Sequence, residues 1–440
     1  MHNLAIALVK KGYQITGSDD EIFEPSKGRL KKYGILPENE GWDPGRITPE
    51  LDAIILGMHA RIDNPELLKA KELGLKIFSY PEYLYEQSKN KKRVVIGGSH
   101  GKTTITSMIL HVLNHLHIDS DYMVGAQLEG FEVMVKITEE APIMVLEGDE
   151  YLTSPIDRRP KFHLYKPDIG LISGIAWDHI NVFPTFEIYI EQFAEFARQI
   201  TPNGTLIYCE ADENVRVIGE NARKDITALP YSIPEHVIEA GITNILVDGK
   251  RIPLKVFGEH NLMNLEGAKL VCNQLGISDL QFYEAIQSFK GASKRLELVA
   301  QNEHTSVFKD FAHSPSKLVA TTNAVKRQFQ ERKLVACIEL HTFSSLSENF
   351  LGHYKGCLDN SDIAKIFFSP HALQLKKLPP ISKDQVKEAF GNTAAEVYTD
   401  SQTLLNDLLL INWKNKNLLM MSSGNFEGID IHDLGKEIIG

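Results

Sequence analysis

The chain has 440 residues, of which 43% are hydrophobic and 24% are charged, and its formal net charge is −11. This composition is typical of a globular protein, the length predicts about three domains, and the acidic balance argues against a nucleic-acid partner. No apolar run is long enough to span a membrane, and no signal peptide is visible. The four cysteines lie far apart, which favours free thiols in a reducing cytoplasm over disulfides or a zinc site: Cys209, Cys272, Cys337 and Cys357.

The first 90 residues alternate between helix and strand patterns, which predicts a parallel sheet. We expect a helix at Met1–Lys11 and strands at Tyr13–Thr16, Leu51–Leu56 and Lys76–Phe78. A dinucleotide-type fold needs a strand and a glycine loop before its first helix, whereas this chain opens on the helix. We therefore expect the first strand and phosphate loop to be missing from the chain as written. The polar, basic stretch Tyr80–Lys92 is predicted to be a linker.

A phosphate-binding loop is predicted where the apolar run Val94–Ile96 meets Gly97-Gly98-Ser99-His100-Gly101-Lys102-Thr103-Thr104 and a helical pattern. Backbone N–H groups at such a helix start favour an anion. Lys102 would reach the β and γ phosphates, and the Thr103 hydroxyl would bind Mg²⁺. The match to G-x-x-x-x-G-K-[ST] is imperfect, because Ile96 takes the first glycine position. An ordinary strand-to-helix turn with a solvated lysine is the alternative.

Acidic residues follow the apolar strand predicted at Ile143–Leu146, namely Glu147, Asp149 and Glu150. Ligands bind at the carboxyl ends of strands in open α/β sheets, and a carboxylate beside a phosphate loop suits Mg²⁺. A solvated acidic turn is the alternative. The strand at Ile169–Ser173 leads to Asp178-His179, where the histidine is as readily a structural residue as a metal ligand.

The pair Asp248-Gly249, between two short strand patterns, predicts a hairpin turn. Polar segments also mark the rest of the chain. Asn261 and Asn264 are three residues apart and face one side of a helix start, where they can cap the helix or bind an adenine edge; spacing alone favours capping for Asn261. Strands at Thr305–Lys309, Leu334–Leu340 and Leu418–Met421 end in polar loops: Asp310–Pro315, His341–Ser345 and Ser422–Phe426.

Together these segments resemble the Mur ligases, the ATP-dependent amide-bond formers of peptidoglycan. Five motifs stand in the family order: the loop 98–104, Glu147–Glu150, Asp178-His179, His260–Asn264 and Asp310–Pro315. The resemblance implies an α/β protein of three domains. These are an N-terminally incomplete Rossmann-like UDP-sugar domain at 1–90, a central P-loop ATPase-like domain with a mostly parallel sheet at 91–296, and a C-terminal Rossmann-like domain at 297–440.

The resemblance also implies which residues bind and react, with ATP and Mg²⁺ required. The catalytic set is Lys102, Glu147 and His179. The metal ligands are Thr103, Glu147 and His179. The ATP-binding set is Gly98, Ser99, His100, Gly101, Lys102, Thr103, Thr104, Asn261, Asn264, Arg295 and Asp310. The UDP-sugar set is Ser18, Asp19 and His59. By position at strand ends, the peptide-binding candidates are His313, His341, Ser423 and Asn425.

Within the family, the sequence is more similar to the members that join L-alanyl-γ-D-glutamyl-meso-diaminopimelate to UDP-N-acetylmuramate in peptidoglycan recycling. Members that add L-alanine usually carry arginines after His341, where Thr342 and Ser345 stand here. The L-alanine-adding activity is the first alternative, and a catalytically inactive nucleotide-binding homologue is the second. We expect a cytoplasmic enzyme with small-molecule substrates and no membrane or obligate protein partner.

Overall fold

The computed structural model describes residues 1–58, 60–128, 130–154, 156–177, 182–239, 241–292 and 295–440. The chain forms two compact units. The first contains Met1–Ile233 and Met263–Ile286, and the second contains Pro234–Leu262 and Gln287–Gly440.

The first unit is α/β, with nine strands and nine helices among its described residues. Its strands are β1 Ile54–Leu56, β2 Ile77–Ser79, β3 Lys92–Gly97, β4 Ser120–Met123, β5 Val135–Lys136, β6 Ile143–Glu147, β7 Ile169–Ile172, β8 Thr205–Cys209 and β9 Thr227–Tyr231. Its helices are α1 His2–Lys10, α2 Ser26–Lys32, α3 Pro65–Glu72, α4 Tyr80–Ser88, α5 Lys102–His115, α6 Phe186–Arg198, α7 Glu213–Glu220, most of α8 Glu259–Gln274, and α9 Asp279–Ile286.

The main sheet of this unit has seven strands in the order β5-β4-β6-β3-β7-β8-β9, and only β5 is antiparallel to its neighbour. Strand β3 is central, and its residues Val94, Val95 and Ile96 are fully buried, as expected for a parallel strand covered on both faces. In the β-ladders Ile96 pairs with Glu147 of β6 and Gly97 pairs with Ile172 of β7. The carboxyl ends of these three strands therefore lie side by side.

The start of the chain departs from two predictions. Among the residues described there, β1 and β2 form a two-stranded parallel sheet, and the predicted strand Tyr13–Thr16 is not a strand. The predicted linker at Tyr80–Lys92 is mostly helix α4. Ser79 caps this helix by accepting the N–H of Glu82, whose side chain accepts the N–H of Ser79 in return. Ser79 and Glu82, three residues apart, are the sequence pattern of a capping box and would have predicted the start of this helix.

The second unit is also α/β. Its strands are β10 His236–Glu239, β11 Ile242–Val247, β12 Lys250–Leu254, β13 Glu297–Gln301, β14 Ser306–Asp310, β15 Lys333–Leu340, β16 Ile363–Phe368, β17 Glu396–Tyr398 and β18 Lys416–Met421. Its further helices are α10 Pro315–Gln328, α11 Glu348–Leu351, α12 Pro370–Leu375, α13 Lys383–Phe390, α14 Ser401–Leu410 and α15 Ile431–Ile439.

Two sheets organise this unit. One has the order β13-β14-β18-β15-β16-β17 and is parallel apart from β13, so the carboxyl ends of β18 and β15 are neighbours. The other is the antiparallel sheet β10-β11-β12. Its predicted Asp248-Gly249 hairpin turn is confirmed, with φ of +48° and +73° at the two positions, as a type I′ turn requires.

The α/β fold class with mainly parallel sheets is confirmed. The four cysteines are free and buried, two in each unit. Among the described residues, every helix is too short or too polar to span a bilayer.

Candidate active site

The loop between β3 and α5 is shaped by two glycines. Gly98 has φ of +134° and Gly101 has φ of +81°. A Cβ at Gly98 would lie 2.0 Å from Ser173 Oγ, and one at Gly101 would lie 2.5 Å from Asn264 Oδ1. Gly101 is the N-cap of α5, and no side chain of the described residues caps that end. The first N–H groups of α5 are thus offered to an anion that approaches the loop.

Lys102 is not the solvated lysine that an ordinary strand-to-helix turn would carry. Its Nζ donates to Gly98 O at 2.5 Å and to Glu150 Oε2 at 2.6 Å, and the side chain is 15% exposed. Burial disfavours the charged ammonium, but the carboxylates of Glu150, Asp149 and Glu147 outweigh it and raise the pKa of Lys102. The lysine is a fixed cation beside the loop.

Thr103 and Glu147 are brought together at the start of α5. Thr103 Oγ1 donates to Glu147 Oε1 at 2.8 Å, and Glu147 Oε2 accepts the Gly125 N–H at 2.9 Å. Both side chains are buried, so the interpretation as a solvated acidic turn is wrong. A hydroxyl and a carboxylate oxygen this close fit Mg²⁺, which takes few protein oxygens and completes its shell with phosphate and water.

The predicted ligand His179 and the predicted sugar-binding residue His59 lie outside the described residues. Within the described ranges, no group of three or more His, Cys, Asp or Glu side chains is placed to hold a metal ion. The metal assignment therefore depends on Thr103 and Glu147.

A hydrogen-bonded group that the sequence analysis missed connects Lys102 to α6. Glu150 is 2% exposed, and its Oε1 accepts from the hydroxyl of Tyr189 at 3.1 Å. Tyr189 in turn lies 2.9 Å from the Oγ of Ser99, a residue of the loop. The sequence groups Glu150 with its acidic neighbours, and nothing local separates their roles.

Asp149 makes a different ion pair. Its Oδ2 lies 2.6 Å from Lys161 Nζ. Burial opposes the charge of Asp149, but the attraction of Lys161 and Lys102 lowers its pKa. The three acidic residues at the end of β6 thus have different partners: Thr103 for Glu147, Lys161 for Asp149 and Lys102 for Glu150.

The two asparagines of α8 have different surroundings. Asn264 lies against Gly101, as the Cβ distance shows, and is therefore beside the loop. Asn261 Nδ2 donates to Phe257 O at 2.9 Å. Because a helix cap must accept an N–H, the capping role predicted for Asn261 is wrong.

In the second unit, Asp310 is a buried acceptor at the end of β14. It accepts the N–H groups of Leu296 and Ala312 at 2.6 Å each. Burial raises its pKa against the opposing charge of Arg295. The guanidinium of Arg295 lies 5.0 Å from the centre of the Phe311 ring.

Two of the peptide-binding candidates, His341 and Ser423, belong to segments that contact Glu339, a carboxylate that sequence reasoning missed. Glu339 is 2% exposed; its Oε2 accepts from the Ser422 hydroxyl and from Phe426 N at 2.8 Å, and its Oε1 lies 3.5 Å from His341 Nδ1. Ser423 follows Ser422 in the same loop, and its Oγ is buried with no partner among the described atoms.

The other two peptide-binding candidates lie outside this group. Asn425 is exposed. His313 Nδ1 bonds to Phe311 O at 2.8 Å, and its carbonyl accepts the Tyr354 hydroxyl at 2.5 Å.

The two described sugar-binding candidates are engaged within the first unit. Ser18 Oγ donates to both carboxylate oxygens of Glu66, at 2.7 and 2.9 Å. The carbonyl of Asp19 accepts Gly41 N at 2.8 Å, and its carboxylate accepts Asp20 N at 3.0 Å. Their role toward a ligand stays a prediction.

The loop, the lysine and the hydroxyl–carboxylate pair lie in a segment with known relatives. The Mur ligase middle domain family matches residues 96–272. A UDP-N-acetylmuramate–L-alanine ligase from Caldicellulosiruptor bescii is 32% identical over 365 residues, which cover 79% of this chain and 76% of the relative. The chain belongs to the Mur ligase family.

Solved structures share the fold of this Mur ligase. A UDP-N-acetylmuramate–alanine ligase from Thermotoga maritima has a TM-score of 0.68 at 20% identity, covering 99% of this chain and 95% of that one. A murein peptide ligase from Psychrobacter arcticus has a TM-score of 0.61 at 21% identity, covering 100% and 96%. Mur ligases are ATP-dependent enzymes that form C–N bonds, and so is this protein.

Proposed function

We propose that this Mur ligase joins L-alanyl-γ-D-glutamyl-meso-diaminopimelate to UDP-N-acetylmuramate, in peptidoglycan recycling in the cytoplasm. The observation that carries the acceptor choice is the turn after His341. Thr342 Oγ1 donates to Ser345 Oγ at 3.0 Å and accepts the Ser345 N–H at 3.1 Å. The turn is uncharged and closed on itself, at a place where the L-alanine-adding members of the family usually carry arginines.

We propose that the residues of the first unit described above carry the phosphoryl-transfer step. A carboxylate is a poor acyl donor, so the lactyl carboxylate would attack the γ-phosphorus of ATP, forming an acyl phosphate and ADP. Lys102 and the N–H groups at the start of α5 would bind the phosphates and stabilise the charge of the transferring group. Thr103 and Glu147 would hold Mg²⁺, which would supply further charge neutralisation. Asn261 and Asn264, with Arg295 and Asp310, are proposed to contact the nucleotide.

The amine of the tripeptide would first lose its ammonium proton and would then attack the acyl carbon. The bond from that carbon to the phosphate oxygen would break, and the leaving phosphate would take up the second proton that the nitrogen gives up. The second unit offers an anionic site for such an amine, since Glu339 is a buried carboxylate at the end of β15. A cationic amine is drawn to a carboxylate in a low-dielectric setting. His341 and the loop Ser422–Phe426 would border this substrate.

The alternative function is the addition of L-alanine to the same acceptor. It is favoured by the Caldicellulosiruptor bescii relative, which carries that name and is more than 30% identical. It would use the same nucleotide and metal residues, so the first unit does not separate the two functions. A catalytically inactive homologue would be expected to have lost the lysine of the loop or the carboxylate at the strand end. Here Lys102 and Glu147 are both present, with the contacts described above.

The test is an amine screen. ADP release is measured with ATP, Mg²⁺ and UDP-N-acetylmuramate, and with either the tripeptide or L-alanine as the second substrate. We expect the tripeptide to support turnover and free L-alanine to support far less, with omission of the UDP-sugar as the blank. Equal or faster turnover with L-alanine would assign the alternative function, and no turnover with either would refute both.

A further inference from the structure

We infer that Glu150 and Tyr189 are positioning residues that hold the ammonium of Lys102 in place for phosphoryl transfer. The inference rests on the proposed function, because it takes the loop 98–104 as the ATP phosphate site. Neither residue was among the expected site residues.

The direction of the hydrogen bonds is fixed by chemistry. A carboxylate only accepts, so the Tyr189 hydroxyl donates to Glu150. That hydroxyl has one hydrogen, so the 2.9 Å contact with Ser99 is a bond in which Ser99 Oγ donates. Ser99 Oγ itself accepts the Ala176 N–H at 3.0 Å. These hydrogen bonds form a chain: the Ala176 N–H donates to Ser99, Ser99 donates to Tyr189, and Tyr189 donates to Glu150, which pairs with Lys102.

This arrangement fixes the charge that must meet the phosphate. Tyr189 is fully buried and Glu150 nearly so, so neither can swing into water to release the lysine. An unrestrained lysine loses rotamer freedom when it binds a phosphate, and a lysine already held loses less. Preorganised charge of this kind lowers the barrier, because no rearrangement is needed during the reaction.

A second buried lysine of the same unit shows what a purely structural pair looks like. Lys91 Nζ gives all three donors to the protein, namely to Asp121 Oδ2, Thr138 O and Ala141 O at 2.6, 2.7 and 2.9 Å. In the described part of the chain Lys102 gives two, to Gly98 O and Glu150. A lysine has three donors, so one remains for a phosphate oxygen.

The experiment measures kcat and the KM for ATP in the full-length enzyme with UDP-N-acetylmuramate and tripeptide. Glu150→Gln keeps the shape and removes the charge, and we expect kcat to fall about tenfold or more while the KM for ATP does not rise. Tyr189→Phe should lower kcat about threefold. Because the tyrosine acts through the carboxylate, the double variant should be within about twofold of Glu150→Gln alone.

Asp121→Asn is the matched control, since it breaks a buried lysine–carboxylate pair whose hydrogen bonds, in the described part of the chain, go to Thr138 and Ala141. It should lower the melting temperature and leave kcat within about twofold of wild type. If Glu150→Gln folds poorly, Tyr189→Phe carries the test.

The inference is overturned if kcat in Glu150→Gln and Tyr189→Phe stays within about twofold of wild type, or if the two effects multiply. Lys102→Ala separates this failure from that of the proposed function. Full ATP turnover in Lys102→Ala would remove the phosphate site itself. Loss of turnover in Lys102→Ala with unchanged Glu150→Gln and Tyr189→Phe overturns the positioning role alone.

Discussion

The substitution Gly101→Ala tests the geometry of the proposed nucleotide loop most directly. The residue has φ of +81°, and the added Cβ would stand 2.5 Å from Asn264 Oδ1. Two penalties therefore combine. One is the cost of a left-handed backbone with a side chain, and the other is the displacement of the Asn264 carboxamide.

The two penalties can be separated with Gly276. Its φ is +87°, and a Cβ there meets nothing within 4 Å. Gly276→Ala should therefore cost only the backbone term, about 1–2 kcal/mol. Gly101→Ala should cost that plus about 1–3 kcal/mol for crowding in a packed site, a total of about 2–5 kcal/mol. Its affinity for ADP should also fall, because Asn264 is a proposed nucleotide contact, whereas Gly276→Ala should bind ADP normally.

Urea unfolding followed by circular dichroism gives the stability differences, and calorimetric titration with ADP gives the affinities. Combining Gly101→Ala with Asn264→Ala removes the obstructing carboxamide, so within that background the glycine substitution should cost no more than Gly276→Ala. Equal destabilisation by the two single glycine substitutions, or a full penalty that persists without Asn264, would refute the reasoning.

Three further predictions concern charge. Lys102→Ala should abolish ADP release, because the proposed phosphate contact is lost, and a coupled assay measures the rate. It should also destabilise the protein by about 3–5 kcal/mol in melting experiments, because the buried Glu150 carboxylate is left without its cation. An undiminished rate of ADP release would contradict the role of Lys102 in phosphate binding. Glu147→Ala should raise the Mg²⁺ concentration needed for half-maximal rate, and an unchanged Mg²⁺ titration would exclude the metal role. Burial lowers the pKa of His163 below 6.5, so as the pH falls the unfolded chain takes up a proton at this residue before the folded chain does, and the folded state loses stability. His163→Gln removes this proton uptake, so the urea midpoint of the variant should decline less between about pH 7 and 5 than that of the wild type. An equal decline in the two proteins would contradict the prediction.

Elements with strong periodicity and clear end signals were predictable. The central strand at Val94–Ile96, the strand before Glu147 and the Asp248-Gly249 hairpin all form as expected. Apolar runs of this kind suit strands that are covered on both faces, as in a parallel sheet, and an Asp-Gly pair suits a type I′ turn. The contact between Thr103 and Glu147 was also predictable in outline. Thr103 follows β3 by a short loop and Glu147 ends β6, and these two strands are parallel neighbours whose carboxyl ends lie at the same edge of the sheet.

The predictions that were wrong or incomplete concern features that depend on partners distant in sequence, or a local signal that was not used. Tyr13–Thr16 has strand-like residues, but no described strand pairs with it, and β-propensity without pairing is weak. Helix α4 was missed although Ser79, Pro81 and Glu82 mark its start. The distinct roles of Glu147 and Glu150 could not be read locally, since they are set by Thr103, Lys102 and the distant Tyr189.

The burial of all four cysteines gives this enzyme a built-in chemical reporter. Burial raises the pKa of each thiol, to about 11 for Cys357, so the reactive thiolate is scarce in the folded chain at neutral pH. An alkylating reagent should therefore modify the native protein only through transient opening. Cys209 and Cys272 lie in one unit, and Cys337 and Cys357 lie in the other. Mass spectrometry of the time course would consequently assign a separate opening rate to each half of the molecule, with and without nucleotide.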